Sequence, residues 1–172
     1  MKKKIVYKAG DILTACDNEL SIPDGILGHS AIVINKLQMI EAVVSPPYLQ
    51  KASIHKFTKN HPKHAIYRPK NPAWGKAAAK FARSYLVQKN YYKQLGIERP
   101  PFSFSPQLPL SDPWSSIYCS KLIWLCYHYG AGHTFNNDHF LFSPQDLDTL
   151  LRKDSNFKTL FRHRRFKFII DT

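Results

Sequence analysis

Two apolar runs of strand length, residues 29–34 and 37–44, stand only two residues apart in a chain of 172. Strands that close in sequence pair antiparallel, so the economical reading is a hairpin. Asn35 and Lys36 lie between the runs, and Ser45-Pro46-Pro47 ends the second, because proline cannot continue a central strand. The residues leave the loop length open, and that length decides what the hairpin can do. With a three-residue loop (35–37), Ile34 pairs with Gln38, Ala31 with Glu41 and His29 with Val43. His29 and Glu41 then share one face as diagonal neighbours, roughly 7 Å apart. A two-residue loop puts them on opposite faces, because one step of register turns every side chain over.

Tyr118-Cys119-Ser120-Lys121-Leu122-Ile123-Trp124 opens a second informative stretch. Ser115 and Ser116 are good N-cap residues, and Pro113 belongs at or before a helix start. From Cys119 onward Leu122, Leu125, Cys126 and Tyr129 recur at helical spacing, with Gly130 as a natural stop. Cys119 therefore sits in the first turn of a largely buried helix. There unpaired backbone N–H groups and the helix dipole favour a thiolate, the reactive form of cysteine. Taken alone, Cys119 is equally well a core residue continuing an apolar stripe.

The remaining elements are read from simpler signals. Gly10-Asp11 makes a turn into a short strand, Ile12-Leu13-Thr14-Ala15, and residues 17–28, with Pro23, Gly25 and Gly28, form a loop. Residues 50–70 are polar, with His55, His61 and His64 and a short strand at 65–68. His61-Pro62-Lys63-His64 has no cysteine or carboxylate near it and is not a persuasive metal site. Pro72 to about Asn90 is a helix with Ala77, Ala78, Phe81, Ala82, Tyr85 and Leu86 on one face. Residues 99–113 carry five prolines around Phe102 and Phe104, either a groove wall or a plain connection. Ser143-Pro144 starts another helix, and residues 166–170 read as a terminal strand.

Composition bounds the rest. The length fits one domain over 1–172 with a proper core, and 44% hydrophobic with 13% aromatic residues excludes a disordered chain. Cys16, Cys119 and Cys126 are an odd number, with no disulfide framework, which fits a reducing compartment. No apolar run approaches the roughly 20 residues of a membrane span, and Lys8 and Asp11 interrupt any signal-like start. The expected location is cytoplasmic; a chain trimmed of an export signal would look the same. The net charge of +13 suits an anionic polymer or lipid surface, with its densest patch at Arg162, Arg164, Arg165 and Lys167. No specific nucleic-acid signature accompanies it.

A thiol nucleophile needs a base within hydrogen-bond reach, and the base needs a third group to fix its tautomer. Cys119, His29 and Glu41 supply those three parts, and a carboxylate set among Met39, Ile40, Ala42 and Val43 needs a partner. Gly10-Asp11-Ile12, Gly28-His29-Ser30-Ala31-Ile32-Val33, Glu41-Ala42, Tyr118-Cys119-Ser120-Lys121-Leu122 and Ser143-Pro144-Gln145-Asp146-Leu147 resemble the circularly permuted branch of the NlpC-type papain-like cysteine peptidases, the YiiX-like and YycO-like proteins. The resemblance spans about residues 10–150. It implies an α+β permuted papain-like fold, a small curved antiparallel sheet packed against the helix bearing Cys119. It also implies Cys119 as nucleophile, His29 as general base and acid, and Glu41 as the group orienting His29. As in that branch the histidine precedes the cysteine, and Tyr118 stands where the usual NlpC motif has Asp.

The implied activity is a cysteine hydrolase, a peptidase or amidase acting on a peptide or cell-wall-derived peptide amide, with no cofactor and no metal. Tyr118 and Ser120 are candidates for oxyanion or substrate contacts. Two other readings stand beside it. One is an ester or lipid acyl hydrolase or acyltransferase, with Phe102, Phe104, Trp114 and Trp124 lining an acyl site. The other is a non-catalytic module binding an anionic polymer through its basic surface.

Overall fold

The computed structural model describes residues 5–16, 28–137 and 141–168. Five strands come first, interrupted by one short helix: β1 Ile12–Ala15, β2 His29–Val33, β3 Gln38–Ala42, β4 Leu49–Ser53, α1 Ile54–Asn60 and β5 His64–Pro69. The long α2, Pro72–Gln94, follows, then α3, Cys119–Leu125, α4, Pro144–Lys153, and β6, Phe157–Arg162. The six strands make one antiparallel sheet in the order β4-β3-β2-β1-β5-β6. The fold is thus α+β, as the sequence implies.

The hairpin adopts the odd loop. Ala31 pairs with Glu41, Ile32 with Ile40 and Val33 with Met39, and Ile34 N–H donates to Gln38 C=O. Asn35 closes the turn, its Oδ1 accepting from the N–H groups of Leu37 and Gln38. Both sheet faces are covered, which is why the strands read as continuous apolar runs rather than alternating ones. Ile12, Ile32, Ile40 and Tyr67 pack under α2, α3 and α4. Leu13, Ala31, Val33, Met39 and Ile66 pack on the other face beneath Ile54 and Phe57 of α1.

Gly10-Asp11 anchors β1. Gly10 has φ +87 and lies so close to Gly75 that a Cβ would fall 2.1 Å from the Gly75 Cα. Asp11 receives both Nε and Nη2 of Arg68, each at 2.6 Å. α2 begins at Pro72 behind the Asn71 cap and runs one turn beyond the expected Asn90. α4 starts as expected, in a capping box between Ser143 and Asp146.

Four expectations change. The helix bearing Cys119 is capped by Tyr118 in extended conformation, not by Ser115 or Ser116. A bridge between Ile117 and Phe102 keeps the chain extended to that point, and Ser116 instead accepts a hydrogen bond from Lys121 Nζ. Gly130 does not stop the helix: α3 continues as a π-helical turn, Cys126–Ala131, and the left-handed stop is Gly132. Gly130 sits where the turn crosses α2, since a Cβ there would lie 2.7 Å from Ala77 C=O. Residues 50–60 hold β4 and α1, which the polar composition concealed. The last strand is β6, about ten residues earlier than expected. Phe166 lies under the Arg162 guanidinium at 4.1 Å instead of extending a ladder. The expected loop at 17–27 and residues 169–170 lie outside the described residues.

Candidate active site

The β2–β3 register brings His29 and Glu41 onto the same face, and their side chains meet: His29 Nε2 lies 2.8 Å from Glu41 Oε2. Gln50, directly opposite Glu41 on β4, donates to the other carboxylate oxygen at 2.9 Å. The carboxylate is thereby held at both oxygens. The imidazole is held by its faces as well, with the Phe57 ring stacked at 5.6 Å and the His61 ring tilted at 5.3 Å. Glu41 occupies Nε2, so Nδ1 is the nitrogen left to meet a third group. The Cys119 thiol interacts with His29 and with Ser30, and these interactions favour its thiolate.

All three residues are buried. Burial alone pulls the His29 imidazolium toward neutrality, but hydrogen bonds to Cys119 and Glu41 outweigh it and raise His29 from 6.5 to about 10. Burial likewise opposes the thiolate, yet His29 and the Ser30 donors bring the Cys119 thiol below its ordinary value. Glu41 is also lowered: the cost of burial is exceeded by His29, Gln50 and the nearby Lys56. The three shifts describe one state, a thiolate and an imidazolium beside a carboxylate. The other cysteines differ. Burial pushes Cys126 well up, and Cys16 donates its thiol hydrogen to Lys63 C=O.

This charge state fixes how the pair affects stability with pH. Where the lowered thiol has ionised and the raised histidine has not, the folded pair holds one proton, on His29. Between the ordinary values of 6.5 and 9.0 the unfolded chain also holds one, on the thiol, so the contribution is flat. Below 6.5 unfolded His29 takes up a second proton and stability falls with acidification. Above 9.0 the unfolded pair has lost both protons, and stability falls until His29 itself deprotonates at about 10. Glu41 adds stability that is present above its ordinary 4.5 and lost on acidification through its lower folded value. Urea unfolding across pH 5–10 should show this plateau. In Cys119→Ala the thiol and the foremost influence raising His29 are both gone, and the pair's share of this pH dependence should largely disappear.

Ser120 and Tyr118 hold the neighbouring chain. The Ser120 hydroxyl donates to Phe142 C=O at 2.5 Å, and the Tyr118 hydroxyl meets the Phe142 backbone. Ser120 is therefore committed to packing, while Tyr118 carries Phe104 against its ring at 5.2 Å. Gln50, Phe57, His61 and Ser30 are the contributors that the sequence reading did not single out. Only Ser30 had a visible signal, its place beside His29. The basic patch is divided: Arg162 binds the buried Asp148, while Arg164, Arg165 and Lys167 are exposed.

No family model and no curated protein matches the sequence. Among solved structures the chain resembles the crystal structure of the metalloprotein YiiX from Escherichia coli O157:H7, with a TM-score of 0.59 at 16% identity. The match covers 92% of this chain and 99% of that one. The fold is YiiX-like. Among the described residues no three His, Cys, Asp or Glu side chains converge on a point where a metal could be held. His29 Nε2 is already engaged by Glu41. His64 Nδ1 is turned to the His61 carbonyl. A metal does not fit these residues.

Proposed function

We propose that the protein is a cysteine hydrolase that cleaves an amide, in a peptide or a cell-wall-derived peptide, on a permuted papain-like scaffold. One observation carries the reading. Of three buried thiols, the one whose ionisation is eased lies at a helix start, against a histidine that a buried carboxylate orients. A structural thiol has no use for that arrangement, and a nucleophile depends on it.

In the proposed reaction the Cys119 thiolate adds to the carbonyl carbon, and the oxygen takes the negative charge. First-turn N–H groups of α3, that of Cys119 among them, lie before any intrahelical acceptor and can receive that oxyanion. His29 gives its proton to the leaving nitrogen, the C–N bond breaks and a thioester forms. His29 then takes a proton from water, whose oxygen displaces the thiolate and releases the acid. Glu41 stays ionised throughout and keeps the imidazole in register.

Two of the four aromatic residues that would serve an acyl-lipid site are engaged elsewhere. Trp114 packs against Tyr85 and Tyr92, and Trp124 stacks on His128 and donates to Phe135 C=O. This favours the amide over the lipid ester. A limiting dose of iodoacetamide at pH 6, read by intact mass, should add one label, and Cys119→Ser should abolish it. Paired amide and ester substrates should then show turnover of the amide. Slow, equal labelling of Cys16, Cys119 and Cys126 would refute the catalytic reading.

A further inference from the structure

α2 is 23 residues long, about 35 Å, and only one side of it is needed by the fold. Ala78, Ala79, Ala82, Tyr85 and Lys89 are buried against the body. The opposite side changes character half-way. Lys76 and Lys80 make its first half cationic, Arg83 beside them donating to Ile34 C=O, and Val87, Tyr91 and Leu95, four residues apart, make its second half apolar. These three are 68%, 59% and 56% exposed, and Ile97, just past the helix, is 43% exposed. Every residue from 93 to 99 is exposed, so this end projects from the body. Lys93 and Arg99 flank it, and Glu98 is the one acidic residue in the whole stretch 72–99.

An apolar tip on a cationic stem has a definite physical preference. The four side chains offer roughly 400 Å² of apolar surface, about half of what each partner buries in a standard protein interface. They stand beside the exposed cations Lys76, Lys80, Lys93 and Arg99, a pairing of apolar and positive groups that complements an anionic surface. A lipid surface needs neither area nor concavity: apolar side chains and a tyrosine enter the headgroup boundary while cations meet anionic phosphates. We infer that the outer face of α2, from Lys76 to Ile97, docks the protein on an anionic membrane surface through its projecting tip. Among the described residues no helix is long and apolar enough to cross a membrane, so the attachment is peripheral.

The test is sedimentation of the full chain with phosphatidylcholine–phosphatidylglycerol vesicles and with phosphatidylcholine vesicles alone. Binding should require the anionic lipid and weaken about tenfold or more as salt is raised. Tyr91→Glu with Leu95→Glu, at exposed positions the fold does not use, should reduce it about tenfold or more, and so should Lys76→Glu with Lys80→Glu. Cys119→Ser should bind as the parent does, which separates docking from catalysis. Binding unchanged by the tip substitutions would overturn the proposal. So would failure to bind anionic vesicles, including the case where the parent self-associates in ultracentrifugation and the tip variant does not, which would make a second copy the occupant.

Discussion

Replacing His29 with alanine should slow alkylation of Cys119 at pH 6 about a thousandfold, because a thiol three units below its pKa is only about one part in a thousand thiolate. The sulfur sits in surroundings that disfavour charge, and burial alone drives Cys126 in the other direction. Without the imidazolium, Cys119 should return to its ordinary 9.0 or above. The rate in His29→Ala should then climb about tenfold per pH unit between 6 and 9, as a lone thiol does, while the parent stays nearly flat. Glu41→Gln keeps the hydrogen bond but removes the charge that stabilises the imidazolium. An opposite charge at this distance is worth about one to three pKa units, so labelling at pH 6 should fall about tenfold to a hundredfold. If His29→Ala labelled as fast as the parent at pH 6, the Ser30 donors alone would be sustaining the thiolate, and the base assigned here would be wrong.

The parts of this site that were legible in the sequence are those fixed by local rules. The hairpin was bounded by Asn35 and Ser45-Pro46-Pro47, but its loop length stayed open, and only the chemistry expected of His29 and Glu41 required the odd one. Helices α2 and α4 announced themselves through Pro72 and Ser143-Pro144. What escaped was built from segments with no strong pattern. β4 is an edge strand reading Leu-Gln-Lys-Ala-Ser, with no β-branched residue and its polar side chains half out of the sheet. α1 is two turns with only Ile54 and Phe57 buried, too short for a periodic signal. These two supply Gln50, which fixes Glu41, and Phe57, which stacks on His29. β6 departs from its sequence pattern: the irregularity at Ile66/Tyr67 sends Phe157 to one sheet face and Phe161 to the other, although residues four apart in a regular strand share a face. Cys119 was placed at a helix start through the wrong cap. A tertiary contact, the Phe102–Ile117 bridge, decides where that helix begins, and no local residue records it.

Replacing Asp148 with alanine should destabilise the protein by about 3 kcal/mol or more. Asp148 lies on the buried side of α4 beside Leu147 and Leu151. Its carboxylate gathers partners from three strands: Thr14 of β1 at 3.3 Å, Tyr67 of β5 at 2.5 Å, and Arg162 of β6 at 2.7 and 2.8 Å. Burial and the facing carboxylate push the Tyr67 phenol well up, so it stays protonated and donates. Removing the carboxylate leaves the Tyr67 hydroxyl without its acceptor in a place water hardly reaches, and leaves the Arg162 guanidinium with the Tyr67 oxygen alone; an orphaned donor costs more than the bond it made. Arg162 is partly exposed and rests over Phe166, so it can recover some hydration, which keeps the expected loss near the lower end of the range for broken buried pairs. Asp148→Asn retains an acceptor for Tyr67 but turns an amide toward the guanidinium, and should lose about half as much. Urea unfolding at pH 7 separates the three proteins, and a loss below about 1 kcal/mol in Asp148→Ala would mean that the strands hold α4 by packing alone. The labelling rate of the folded Asp148→Ala protein tells a second thing. α4 follows directly on Phe142, whose carbonyl receives the Ser120 hydroxyl one residue from Cys119. A rate close to the parent's in the folded fraction would show that this hydrogen bond, rather than the docking of α4, keeps the start of α3 in place.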